Sequence, residues 1–268
     1  MIRMSMNQLS TFSWPFDEDI LRYSELGYEA VGVWRSKLSD YGEERGIELL
    51  REQQMRVSNL MWAGGFTGSD GQSYNEALRD AIEAIRLTAE LKADCLVVYT
   101  GSRAGHTFNH ARRMSRKAIE QLIPIAEEFG VTLAIEPVHP DAGGEWTFLH
   151  DLDETLEFLD AFTTPNLKLA FDTYHLAQTE IDLHKIESIA RRVAIVHVAD
   201  AASPPMGELN CCLVGEGNLP IVPIISALYN GGYCGYLDVK LLGEDLELYS
   251  YEKIMAHSQQ ALRDMTEV

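Results

Sequence analysis

The chain has 268 residues, 46% hydrophobic and 24% charged, which is enough apolar side chain for a sizeable core. Forty-one acids against 22 bases leave a formal charge of −19, a field that repels nucleic acid and anionic membrane surfaces. No stretch approaches the roughly 18 apolar residues of a membrane helix, and "MIRMSMNQLSTFSW" at the N-terminus holds no apolar run of signal-peptide length.

Short apolar runs alternate with stretches of helical period along the chain. "IRMSMNQ" leads to a helix over Asp17–Leu26, and "YEAVGVW" to one over Glu43–Gln53. "MRVSNLMW" precedes "SYNEALRDAIEAIRLTAEL", where Ala77, Ile82, Ile85 and Ala89 share a face. "DCLVVYTG" precedes "FNHARRMSRKAIEQLIPIAEEF", and "VTLAIEP" precedes "LDETLEFLDAF". "LKLAFDTYH" leads to a short helix near His184–Ile189, "VAIVHVAD" to "PIVPIISALYNG", and "GYLDVKLL" to "YSYEKIMAHSQQALRDM". Eight strand–helix units in this length predict an α/β fold, a (β/α)8 TIM barrel forming a single domain over 1–268. A doubly wound open sheet is the alternative. Ala63–Gly71, Pro140–Thr147 and Ala201–Pro220 read as long loops on the face where barrel enzymes work.

Strands buried on both faces should be continuously apolar. Four of these end otherwise: "LAIE" at Glu136, "LAFD" at Asp172, "IVHVAD" at His197 and Asp200, and "LDVK" at Lys240. They come from strands five to eight, which are neighbours in a barrel. Two carboxylates and an imidazole side by side call for a positive charge among them. One candidate is a divalent metal held by Glu136, Asp172 and His197, with manganese, zinc, cobalt, iron or magnesium suiting that donor set better than calcium. The other is Lys240 itself, in a buried salt-bridge cluster.

These strand ends resemble the sugar phosphate isomerase/epimerase family, the xylose isomerase-like TIM barrels. The resemblance spans essentially the whole chain through "GYEAVGVWRSKLSDYG", "LAIEPVHP", "LAFDTYHL", "VHVADAASPP", "LVGEGNLP" and "GYLDVKLLG". It implies a metal held by two Glu, an Asp and a His, and proton transfer beside the carbonyl of a ketose or aldose. It assigns metal ligation to Glu136, Asp172 and His197, and substrate contact to His175. The chain departs from the pattern where the second Glu falls on Lys240, and where an Arg before "GEG" falls on Cys211.

Lys240 changes the chemistry. A divalent ion about 4 Å from an ammonium costs about 8 kcal/mol at an effective dielectric of about 20. The lysine must be neutral, turn away toward Asp238 or Glu244, or displace the metal. Three readings follow. In the first, Glu136 and a neutral Lys240 are the catalytic pair of a metal-assisted isomerase or epimerase. In the second, the chain is an inactive or impaired sugar-binding relative whose Lys240 replaces the metal's charge. In the third, Lys240 forms a Schiff base, against the influence of two nearby acids.

His139 in "EPVHP" and His106 in "YTGSRAGHTF" are candidates for substrate contact, against local capping and a plain turn. Trp34 and Trp62 end strands two and three and could wall a sugar's C–H face. Trp14 and Trp146 read as loop anchors, and Asp200 as the residue orienting His197, against a hydrogen bond to its own loop. Cys95, Cys211, Cys212 and Cys234 form no CxxC pair and read as free thiols of a reducing, cytoplasmic compartment. The expected partner is a small sugar or keto-acid, with no nucleic acid and no membrane. A homo-oligomer is an expectation by analogy with other barrels.

Overall fold

The computed structural model describes residues 2–266. Eight parallel strands close into a barrel: β1 (Met4–Asn7), β2 (Ala30–Trp34), β3 (Arg56–Gly64), β4 (Leu96–Tyr99), β5 (Leu133–Ile135), β6 (Leu167–Asp172), β7 (Val193–Val198) and β8 (Leu237–Val239). Each pairs with its sequence neighbours, and β8 pairs with β1. The expected (β/α)8 barrel is the observed fold. Closure leaves no free sheet edge and puts strands five to eight side by side.

Both faces of the strands are covered, which is why they read as apolar runs; all four residues of β4 are buried. On the outer helix Tyr74–Leu91, a capping box between Ser73 and Glu76 fixes the start. Its buried stripe is centred on Ala77, Ala81, Ala84 and Ile85, while Ile82 and Ala89 are only partly buried. Alanines let the helix approach the sheet closely, so the stripe lies slightly off the larger apolar residues.

Three local features differ from the sequence pattern. A helix over Arg35–Tyr41 follows β2, though "RSKLSDY" is mostly polar. Its contact with the core includes buried Lys37, whose Nζ donates to Asp19 Oδ2 at 2.7 Å and to the Thr11 carbonyl at 2.8 Å. Strand β3 runs on to Gly64, into the expected loop. Gly64 holds φ +137°, and a Cβ there would lie 1.8 Å from the Tyr99 carbonyl oxygen, so only glycine fits. The Ala201–Pro220 loop contains an antiparallel pairing of Asp200–Ala201 with Cys211–Cys212.

Candidate active site

The barrel register brings the polar strand ends together. Asp172 closes β6 opposite His197 of β7, and His197 lies opposite Asp238 of β8. Glu136 and Lys240 each follow the last residue of their strands, with backbone N–H groups still bonded to the Val98 and Val198 carbonyls. All five side chains are buried, and Lys240 is only 6% exposed.

Lys240 Nζ sits on two carboxylates. It donates to Glu136 Oε1 and pairs with Asp172 Oδ2 at 2.6 Å. Glu136 Oε1 is also 3.1 Å from His197 Nδ1, and Oε2 accepts from the Tyr99 hydroxyl at 2.8 Å. Asp172 Oδ1 accepts from the Tyr174 and His175 backbone N–H groups at 2.8 and 3.3 Å, capping the helical turn Thr173–Leu176. The lysine therefore does not lean toward Asp238 or Glu244.

Asp238 does point inward, one layer deeper. Its Oδ1 accepts from Ser5 Oγ, and its Oδ2 accepts from Asn7 and Asn59 side-chain amides at 2.7 and 2.9 Å. The same oxygen lies 3.6 Å from His197 Nε2. Gly32 makes room for this cluster: a Cβ there would come within 3.0 Å of Asn7, Asp238 and Asn59.

Charge placement sets the protonation states. Burial alone would neutralise Lys240, but Asp172 and Glu136 outweigh it and hold the ammonium well above the usual lysine range. Burial likewise opposes charge on Glu136, yet Lys240 and His197 drive its carboxyl well below the usual range. Lys240 is thus a cation, which is unsuited to Schiff-base formation or to acting as a base. Burial pushes His175 down to about 4, so its imidazole is neutral near pH 7.

Glu136, Asp172 and His197 offer one ligand atom each within 4.8 Å of one another, a donor set suited to a divalent ion. Such an ion would draw on the oxygens that the Lys240 ammonium already occupies. The residues present do not fit a metal while Lys240 holds this position, because ion and ammonium would compete for one place.

Above the cluster lies a cavity of about 150 Å³, lined by Trp62, Tyr99, Trp146, Asp172, His175 and Lys240 among others. Glu136 and His197 lie beneath it rather than in its wall. Cys211 also lines it, where the resemblance called for an arginine; burial pushes that thiol up to about 12, so it is neutral. Trp34 stacks behind Trp62, with ring centroids 6.5 Å apart, and faces an outer cleft.

The remaining candidates lie further out. His139 accepts from the Asp141 N–H at 3.2 Å and caps a helical turn; it lines a separate groove that reaches His175. His106 packs on His110 with centroids 4.8 Å apart and lines neither cavity around the cluster. Asp200 does not orient His197: it accepts backbone N–H groups of Ala201, Gly215, Gly217 and Leu219 and so braces the loop. Trp146 is part of the cavity wall and not merely an anchor. Tyr99 was legible only as a polar-tipped aromatic ending "LVVY".

A sequence profile described as a xylose isomerase-like TIM barrel matches residues 20–265. The chain is similar to fructoselysine 3-epimerase of Escherichia coli O157:H7, 21% identical over 85% of this chain and 86% of that protein. It is also similar to inosose isomerase of Bacillus velezensis (strain DSM 23117 / BGSC 10A6 / LMG 26770 / FZB42), 20% identical over 84% and 82%. Among solved structures, an IOLI protein with a bound zinc atom superposes with a TM-score of 0.86, at 18% identity over 99% of this chain and 98% of that one.

Proposed function

The chain belongs to the xylose isomerase-like TIM barrel family, and from that premise we propose that it acts as a metal-free sugar or keto-acid isomerase or epimerase, with Lys240 supplying the positive charge at its centre. Its similarity to sugar epimerases and isomerases supports the reaction class. The single observation that carries the metal-free part is the Lys240 ammonium seated on Glu136 and Asp172.

Of the charged cluster, Asp172 and Lys240 line the cavity. A carbonyl substrate bound there would meet an ammonium donor and a carboxylate acceptor. Asp172 takes the proton from the carbon next to the carbonyl. The C–H electrons become the C=C bond, and the carbonyl π pair moves onto oxygen, where Lys240 stabilises it. Neutral His175 hydrogen-bonds a neighbouring hydroxyl. Glu136, held by Tyr99, His197 and Lys240, anchors the ammonium rather than acting as base.

A second reading has a specific observation behind it. Only one carboxylate of the cluster faces the cavity, whereas epimerisation of the family type uses two. On this reading the chain binds sugars without turnover.

The test is hydrogen exchange in D2O, followed by NMR at the carbon beside the carbonyl across a panel of ketoses, aldoses and keto-acids. We expect exchange that persists with chelator and disappears in Lys240→Met. Exchange that requires added metal would contradict the metal-free mechanism. Binding without exchange across the whole panel would leave the second reading in its place.

A further inference from the structure

The inner cavity has an outer extension that the chemistry above does not use. Trp62, Tyr99 and Trp146 are shared between the cavity and a cleft of about 500 Å³. Aromatic rings run from one to the other. Trp34 stacks on Trp62 at 6.5 Å with planes 14° apart; Trp62 meets Tyr99 edge-on at 6.0 Å, and Tyr99 donates to Glu136. Trp62 is 39% exposed despite its size, so one wall of the cleft is a bare indole. At the inner end, buried His175 leaves Nδ1 without a hydrogen-bond partner.

The sign of the cleft is one-sided. Asp40, Glu43, Asp70, Asp80 and Glu145 line it against a single cation, Arg35. Arg35 is already spent in a two-point pair with Asp80, both contacts 2.8 Å. The other four carboxylates form no ion pair among the described residues. Among the described residues lining the cleft no guanidinium or ammonium is left to take a phosphate, and Lys240, the one cation among those lining the inner cavity, is tied to two acids. Indole faces beside uncompensated carboxylates favour a cation, through ring electrostatics and Coulomb attraction together.

We infer that the cleft is a subsite for a protonated amine, and that the substrate is an unphosphorylated carbonyl sugar bearing a distal ammonium group. The sugar's carbonyl end occupies the inner cavity against Lys240. Its amine-bearing arm passes Trp62 and lies among Asp70, Glu145 and the Trp34 ring. This inference rests on the carbonyl-binding reading of the inner cavity, and it assigns specificity to residues outside that cavity.

The test is calorimetric titration of the full chain with three matched ligands at low salt. They are fructose joined at C1 to one nitrogen of 1,5-diaminopentane, the same conjugate with its distal amine acetylated, and fructose 6-phosphate. A second protein, Asp70→Asn/Glu145→Gln, keeps the side-chain shapes and the Asp70 acceptor for the Gln72 N–H. We expect the free-amine conjugate to bind the wild type about tenfold or more tightly than the acetylated one. We expect that preference to fall to within about twofold in the double variant and to weaken with salt. Equal affinity for the two conjugates, preference for the phosphate, or no binding of the free-amine conjugate at millimolar concentration would each overturn the inference. An amine preference without hydrogen exchange would uphold the subsite while removing the isomerase reading, so the two claims fail separately.

Discussion

Two buried acidic layers sit one above the other in this barrel, and they are neutralised in opposite ways. In the lower one, Asp238 is surrounded by neutral donors: Ser5, Asn7 and Asn59, with the His197 ring beyond. In the upper one, Glu136 and Asp172 share a single ammonium from Lys240. A carboxylate satisfied by fixed dipoles is structural and has no vacancy for an ion. Carboxylates compensated by one side-chain cation would be left with room for a different cation once that side chain is removed. The difference separates a layer closed by fixed neutral donors from the layer to which the proposed function assigns chemistry.

Removing the cation should have the largest effect. Lys240→Ala leaves two buried carboxylates uncompensated and should cost about 3–5 kcal/mol in urea denaturation. Added zinc or manganese should restore much of that loss in the variant and leave the wild type unchanged. Rescue of neither protein would mean that the upper layer is as closed to ions as the lower one.

Acid should distinguish the layers next. His175 titrates near 4 when folded, against 6.5 when unfolded, because burial disfavours its charged form. Between those values the unfolded chain binds a proton that the folded chain refuses. Stability from this source is complete above pH 6.5 and is lost as pH falls toward 4, by roughly 3 kcal/mol. His175→Gln should flatten that part of the stability–pH curve, and an unchanged slope would assign the acid sensitivity elsewhere.

The lower layer should respond less and without regard to metal. Asp238→Asn turns one acceptor into a donor among donors, and should cost about 1–3 kcal/mol that no divalent ion recovers. Smallest is Asp200→Asn, which weakens the loop brace by about 1 kcal/mol and leaves the environment of His197 unchanged by NMR.

How much of this could be read in the sequence depended on the kind of signal. The barrel was legible because strands buried on both faces leave apolar runs such as "CLVVY" and "VAIV". The charged strand ends were legible because Glu136, Asp172, His197 and Lys240 interrupt those runs. The direction of Lys240 was not, since Asp238 and Glu244 are equally plausible partners in the sequence, and only the structure shows Asp238 taken up by Ser5, Asn7 and Asn59. Tyr99 and Trp146 were hidden because aromatics at strand ends and in loops look alike whether they fill a core or wall a cavity. The Arg35–Tyr41 helix was hidden because Lys37 is buried by pairing with Asp19, a contact between segments that no local periodicity records.

In the proposed function, Lys240 stands where a metal ion would otherwise be held. Elemental analysis tests it most directly, on wild type and Lys240→Glu purified identically without chelator. Wild type should be essentially free of transition metal, and Lys240→Glu should hold close to one equivalent, because a third carboxylate replaces the ammonium. Near one equivalent in the wild type would contradict it, because the ion and the charged lysine would then share a place the structure gives to only one of them.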